Sequence, residues 1–447
     1  MAKHFLASVF VSLTYLTYFS MPVRAQQGAS PRPMSSFDRE RAQLMLQDVA
    51  NDVRKHYYDP HLHDIDWNAK VQEVKAKIAN ETTLNMAFAH IAALLDTLND
   101  SHTFFLPPPR PYHAEFGWHL QMIGDHCFIV RVRPNSDAEA KGLKPGDELL
   151  ALNGYHPNRG NLWKMEYAFA ILRPQPGFHL HVKTPEGEER QVDVASILRP
   201  IPHLTDLTNA NTWQNMELGF EDEEDSLAPQ FAEPSPGIAI VKVNAFFLDE
   251  GQVEKIVSRA NKAGSLVIDL RGNSGGAVDS MKDLLGAMFD HEVKIGYRVI
   301  RSGTKILAAK AGFGHSHFHG KLTVLVDSKS ASASEIFARV IQLEKRGTLI
   351  GDHSAGAVME SMQYTHHVGT DMVTFYGASI TEANLIMTDG SSLEHTGVVP
   401  DELVLPQAAD LASGHDPALA RAVELLGGKL SADEAGKLFP YRWAKLQ

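Results

Sequence analysis

Cysteine is nearly missing: Cys127 stands alone among 447 residues, so no disulfide can close within the chain and stability must come from packed cores. Its surroundings, HCFIVRVRP, read as a strand that buries the thiol as a small apolar group rather than offering it as a nucleophile. Long hydrophobic runs are as scarce. Only Phe5 to Met21 approaches one, behind Lys3 and His4 and ahead of Val23-Arg24-Ala25, which is the order of a secretory leader cleaved after Ala25. The run falls short of the ~20 apolar residues that a span needs. The chain is therefore expected to be exported, periplasmic or extracellular, with no stable membrane span once the leader is gone. An excess of positive charge is absent too: 42 Lys and Arg face 54 Asp and Glu, a net charge of −12. A phosphate backbone would be repelled, which argues against nucleic acid as a partner.

What is present is a globular composition, 44% hydrophobic and 21% charged with both signs dispersed, in a chain too long for one core. No internal repeat or low-complexity tract interrupts it. After the leader (1–25), residues 36–112 carry apolar positions at helical spacing, as in RAQLMLQDVANDVRKHYY and LNMAFAHIAALLDTL, and the last helix is expected to close near Leu98, before the proline-rich LPPPRPY. Residues 113–200 switch to short strand-like runs such as CFIVRVRP, ELLALNG and HLHVKTP, a β-rich module. A linker (201–236) holds the acidic run Glu221-Asp222-Glu223-Glu224-Asp225, read as a solvated loop. From 237 to 410, strands GIAIVKV, SLVIDLRG, KLTVLVDS and GTLIGD alternate with helices GQVEKIVSRANKA, AVDSMKDLLGAMF and ASEIFARVIQLEK. That alternation predicts a mostly parallel sheet between helices. Residues 411–447 read as a helical tail. The fold class is thus α/β and multidomain.

The segment KLTVLVDSKSASASEIFARVIQ sets a strand, a small-residue turn and a helix in succession, so a serine there stands at a helix N-terminus, where negative charge is favoured. Ser330, Ser332 and Ser334 could equally be helix caps, and local physics leaves both readings open. Ser330-Ala331-Ser332-Ala333-Ser334-Glu335 resembles the signature of the C-terminal processing (tail-specific) serine peptidases, in which the middle serine, here Ser332, is the nucleophile. An upstream PDZ-like stretch, IDLRGNSGG at 268–276 and DGSSLEHTGVVPD at 389–401 match the same family in the same order. The resemblance implies a PDZ-like domain at 113–200, a ClpP/crotonase-like β/α peptidase domain at 237–410, protein or peptide substrates, and no cofactor. It sets no oligomeric state.

One departure from the family is informative. A lysine general base follows the nucleophile by 25 residues in bacterial and plastid members, but here that position is Ala357, within His353-Ser354-Ala355-Gly356-Ala357. Another base is needed. Ser101-His102 in LNDSHTFF resembles the pair of the tricorn-type branch, whose Ser-His-Ser-Glu tetrad would be completed by Glu394. Read alone, these two residues would be a turn serine and a surface histidine. By resemblance the oxyanion donors are the N–H groups of Gly275 and Ala333, with Gly276 an alternative to Gly275, although a plain strand-to-helix turn also calls for glycine. Phe116-Gly117-Trp118-His119-Leu120 would be the carboxylate-binding loop of the PDZ-like domain. His315, His317 and His319 alternate without Cys or acid partners, so no metal site is expected. The alternative to a peptidase is a non-cleaving peptide- or lipid-binding protein of the same fold.

Overall fold

The computed structural model describes residues 34–110, 112–200, 227–311, 317–369 and 374–443. The leader-like residues 1–25, the acidic run 221–225 and His315 lie outside them.

The alternating segments build a six-stranded sheet in the order Glu402–Leu403, Thr348–Gly351, Lys321–Val326, Ser265–Asp269, Ile238–Lys242, Gln230–Ser235. All neighbours are parallel except the last pair. Its central strands read as unbroken apolar runs because both of their faces are covered. On one face, helices Glu250–Ala263, Val278–Gly286 and Ala333–Leu343 bury Val253, Ile256, Met281, Leu284, Ile336 and Phe337. On the other, helix Pro417–Leu425 sets Leu419, Ala422 and Val423 among Ile240, Val267, Leu325 and Ile350. Residues that read as a tail therefore supply a layer of this sheet. Arg271 fastens that layer, donating to Asp269 Oδ2 at 2.8 Å and to Asp416 Oδ2 at 2.7 Å.

A second, antiparallel sheet has no counterpart in the sequence reading. Its spine is the strand Thr374–Met387, which pairs with Met359–Val368 along one edge and with Phe104–Leu106 and Val293–Ile300 along the other; Gly303–Ala309 lies outermost. Helices Ser36–His56, Trp67–Asn80 and Leu84–Asp96 share a core with this sheet through Phe88, Phe105, Tyr376, Ala378 and Ile380. The third helix closes at Asp96, two residues before the expected Leu98, and Asn99 turns the chain with φ 52°. Residues 100–103 are thereby strung between a packed helix and a paired strand, which fixes where Ser101 and His102 can go.

The β-rich module is a five-stranded antiparallel sheet, Trp118–Ile123, His126–Val132, Glu148–Leu152, Gly177–Lys183 and Glu189–Ala195 in that order, around Trp118, Leu120, Ile129, Leu149, Phe178 and Leu180. Cys127 is buried in it, and burial pushes its thiol up to about 12. Such a thiol is inert at neutral pH. Edge strand Trp118–Ile123 and the turn after it are bolted to the parallel sheet. Gln121 Nε2 donates to Asp327 Oδ2 at 2.8 Å, and Gly124 N and Arg159 Nη2 donate to Asp352 Oδ2 at 2.9 and 2.6 Å.

Candidate active site

Ser332 follows the strand Lys321–Val326 and caps the helix Ala333–Leu343 in an unfavourable backbone conformation, φ 57° and ψ −120°. A non-glycine residue held there signals strain that its surroundings must enforce. The restraints are visible. Ser332 N donates to Ala357 O at 2.8 Å and to Glu335 Oε2 at 3.1 Å, and Ala331 N donates to Asn273 O at 2.9 Å. Ser330 and Ser334 are the structural serines of the motif: their hydroxyls donate to Leu270 O at 2.8 Å and to Asn273 O at 2.7 Å. The Ser332 Oγ instead faces His102 Nε2 at 3.3 Å. Resting contacts between a base and a nucleophile are often that long.

His102 Nδ1 lies 2.7 Å from Ser101 Oγ, which donates to Glu394 Oε2 at 2.9 Å. A carboxylate only accepts, so the single Ser101 proton points to Glu394 and Ser101 must accept from His102 Nδ1–H. That fixes the tautomer. Nε2 is left with its lone pair toward Ser332. Glu394 is held in turn by Ser101 N at 2.7 Å and Val358 N at 2.7 Å. Burial lowers the His102 pKa from its ordinary value, while the charges of Glu394 and Asp100 act in the opposite sense. The residues singled out as a tetrad are thus brought into one chain of contacts, across 293 and 230 positions of sequence.

Three residues that the sequence reading passed over hold this centre. Glu335, wholly buried, accepts from Ser354 Oγ at 2.5 Å, Gly356 N at 2.8 Å, Ala357 N at 2.9 Å and Ser332 N at 3.1 Å. It stitches the turn at Ser332 to the segment where the family lysine would stand, and burial pushes its carboxyl up to about 7 against those four donors. Asn273, also fully buried, donates through Nδ2 to Val243 O at 2.9 Å. Asp100 holds the Ser101-His102 turn. Glu335 was quoted only as the end of a motif; no sequence signal marks the other two beyond their neighbourhood.

At the expected oxyanion positions, Gly275 N donates to Asn273 Oδ1 at 2.8 Å, so that N–H already has an acceptor. Ala333 is the first residue of its helix, where an N–H has no intrahelical acceptor. Gly275 has φ 108°, and a Cβ on it would stand 2.7 Å from Ser332 Cβ and 3.1 Å from Ala331 O. Only glycine fits. Gly275→Ala is expected to lower kcat by about 100-fold or more by displacing Ser332, checked by steady-state kinetics on a cleaved peptide; wild-type kcat would mean that the loop gives way without moving Ser332.

In the PDZ-like stretch, Trp118 and Leu120 point into the module core, with Phe116 stacked on Trp118 at 5.6 Å. Gly117, at φ 77°, accepts Arg133 N–H at 2.8 Å. His119 points away from that core, 3.2 Å from Tyr441 Oη and with its ring 4.7 Å from that of Trp443. Burial, together with Lys329, Arg131 and Arg133, pulls its pKa down to about 4. A cavity of about 490 Å³ opens beside it, lined by Gln121, Arg131, Arg271, Asp327, Lys329 and Tyr441 among others. His317 and His319 meet edge to face with ring centroids 3.9 Å apart, and among the described residues no group of three or more His, Cys, Asp or Glu could hold a metal ion. No helix among them is long and apolar enough to cross a membrane.

Residues 237–404 match the sequence model of peptidase family S41. The chain is 24% identical over 421 residues to a carboxyl-terminal-processing protease of Synechocystis sp., covering 90% of each protein. It is 23% identical over 410 residues to the carboxyl-terminal-processing peptidase 3, chloroplastic, of Arabidopsis thaliana, covering 88% of this chain and 75% of that one. Among solved structures, mature CPAF has a TM-score of 0.63 at 15% identity, over 84% of this chain and 95% of that one. The photosystem II D1 C-terminal processing protease has a TM-score of 0.51 at 17% identity, over 91% and 100%. At such identities the structures speak for the fold. From the sequence matches, residues 237–404 are of peptidase family S41 and the chain is a serine-type peptidase.

Proposed function

We propose that this chain is an exported endopeptidase acting on protein or peptide substrates, with Ser332 as nucleophile, His102 as general base, and Ser101 and Glu394 holding the base. The observation that carries this reading is the continuous path from Glu394 through Ser101 and His102 to Ser332, with Nε2 unprotonated toward the nucleophile. His102 takes the Ser332 proton as Oγ attacks the peptide carbonyl, and the imidazolium gives it to the leaving amine. The path Nδ1–H, Ser101, Glu394 stabilises the imidazolium in between. The negative oxygen of the tetrahedral intermediate would be met by Ala333 N–H and a glycine N–H of the 275–276 turn. Because Gly275 N–H is bonded to Asn273, binding it to substrate calls for a small rotation of this turn or for Gly276 in its place.

Substrate chains would reach Ser332 along the edge strand Trp118–Ile123, whose Gln121 side chain is bonded to Asp327, five residues before the nucleophile. The loop Phe116 to Leu120 would grip the incoming end, and the cationic Arg131 and Lys329 near His119 suit a carboxylate. The names of the relatives, carboxyl-terminal-processing proteases, favour the same class of substrate. Export rests on the leader-like residues 1–25.

A fluorophosphonate probe tests the centre directly. Covalent labelling of Ser332, located by mass spectrometry and abolished by Ser332→Ala, is expected, together with cleavage within a quenched peptide library. A folded protein that is neither labelled nor cleaves would overturn the reading in favour of a binding protein.

A further inference from the structure

We propose that Asp100 is a positioning residue of this peptidase: a second buried carboxylate that shapes the turn carrying the base and sets an unneutralised negative charge beside the imidazole. The proposal rests on His102 being the base. Asp100 is 6% exposed. Its Oδ1 accepts His102 N at 2.9 Å, Thr103 N at 2.7 Å and Thr381 Oγ1 at 2.7 Å, and its Oδ2 accepts Tyr57 Oη at 2.8 Å.

An aspartate that accepts the N–H groups two and three positions ahead enforces a turn. Here that turn aims the His102 ring at Ser332. The side chains that fix Asp100 come from distant elements. Tyr57 ends the first helix, and its carbonyl accepts Arg301 Nη1 at 2.9 Å; Thr381 belongs to the spine of the second sheet and its N accepts nothing but donates to Thr103 Oγ1 at 3.0 Å. The helical region and the second sheet thus meet at the base through one carboxylate. All four donors to Asp100 are uncharged. Burying a carboxylate on dipoles alone is costly, and a cation forming beside it recovers part of that cost. In the catalytic cycle such a cation is the His102 imidazolium.

Other titratable groups face this centre. Glu394 acts through Ser101; Tyr57, Tyr58 and Asp59 lie behind Asp100; His63 Nε2 is 3.0 Å from Tyr57 Oη, and His395 Nε2 is 3.7 Å from Glu394 Oε1. Burial, with Asp100, Asp59 and Glu394, pushes the Tyr58 phenol up to about 12, so it stays neutral over the working range. His63→Gln and His395→Gln serve as controls for the remaining imidazoles.

The test is Asp100→Asn in the full chain. The amide oxygen can accept the same N–H groups, and Nδ2 can donate to Tyr57 Oη while that hydroxyl turns to His63. The turn stays paired and only the charge goes. The expected result is a downward shift of about half a pH unit or more, seen both in the NMR titration of the His102 imidazole and in the acid limb of kcat/KM, with kcat down about 10-fold and KM unchanged. If titration, limb and kcat all stay at wild type, the proposal is wrong. In wild type, an acid limb that does not coincide with the His102 titration would instead sink the base assignment, and this proposal with it. Should Asp100→Asn fail to fold, Thr381→Val removes one donor and leaves the charge. It is expected to lower kcat by about 3- to 10-fold at unchanged KM with the limb unmoved, and wild-type kcat there would overturn the positioning role.

Discussion

Ser332→Ala should lower kcat by about 10⁴-fold or more on any cleaved peptide, while thermal unfolding moves by no more than about 1 kcal/mol. The two halves of this expectation come from different atoms. Chemistry is lost because Oγ is the one atom that His102 Nε2 faces, and alanine has nothing to attack with. Stability is kept because the strained backbone at Ser332 is held by its N–H, through Ala357 O and Glu335 Oε2, and not by its hydroxyl. A half-buried hydroxyl with one long contact leaves little unpaired when it is removed. Peptide turnover by purified variant, with a melting curve beside it, checks both. Wild-type turnover would mean that another nucleophile operates; a large fall in the melting temperature would mean that the hydroxyl, and not the backbone, supports the turn.

The layers around the parallel sheet were legible because strands buried on two faces leave unbroken apolar runs, as in SLVIDLRG and KLTVLVDS, and their helices leave a 3.6-residue period. The second sheet was not. Strand Met359–Val368 mixes half-buried with exposed residues and carries His366 and His367, and although it pairs with Thr374–Met387 as a neighbour in the chain, the other edge of that spine is filled by Val293–Ile300 and Phe104–Leu106 from far earlier in the sequence. The same division runs through the site. Ser332, His102, Ser101 and Glu394 could be named from motifs, and the empty lysine position at Ala357 gave the reason to look for a histidine. Asp100, Asn273 and Glu335 each accept from a backbone N–H two or three positions away, a contact common to any turn or helix cap, but the partners that tie them to the site, Thr381 and Tyr57, Val243, and Ser354 with Gly356 and Ala357, come near only on folding. The expected Gly275 donor illustrates the limit: glycine was right for the space, since a Cβ would strike Ser332, yet its N–H is already bonded to Asn273.

His102→Ala should cost on the order of 10³-fold or more in kcat with little change in KM, as loss of the base does in serine peptidases. No lysine stands at the family position to take over. Position 357, where a lysine would have to reach, is an alanine whose carbonyl is bonded to Ser332 N and whose N–H is bonded to Glu335. Lysine introduced there would enter without the surrounding hydrogen bonds that a depressed ammonium pKa requires, so Ala357→Lys is expected to leave His102→Ala largely unrescued. The pH profile adds a sign. The neutral imidazole is the working form, and burial, partly offset by Glu394 and Asp100, lowers the pKa of His102. Activity should therefore hold through neutral pH and fall on the acid side, with a midpoint below the ordinary histidine value of about 6.5. Glu394→Gln removes the stronger of the two charges that oppose burial. The acid midpoint should then move lower still, and kcat should fall by less than in His102→Ala, because Gln can still accept from Ser101 and keep the ring in place. An acid midpoint that rises in Glu394→Gln, or a His102→Ala variant within 10-fold of wild type, would return Ser101-His102 to a structural turn and leave Ser332 without its base.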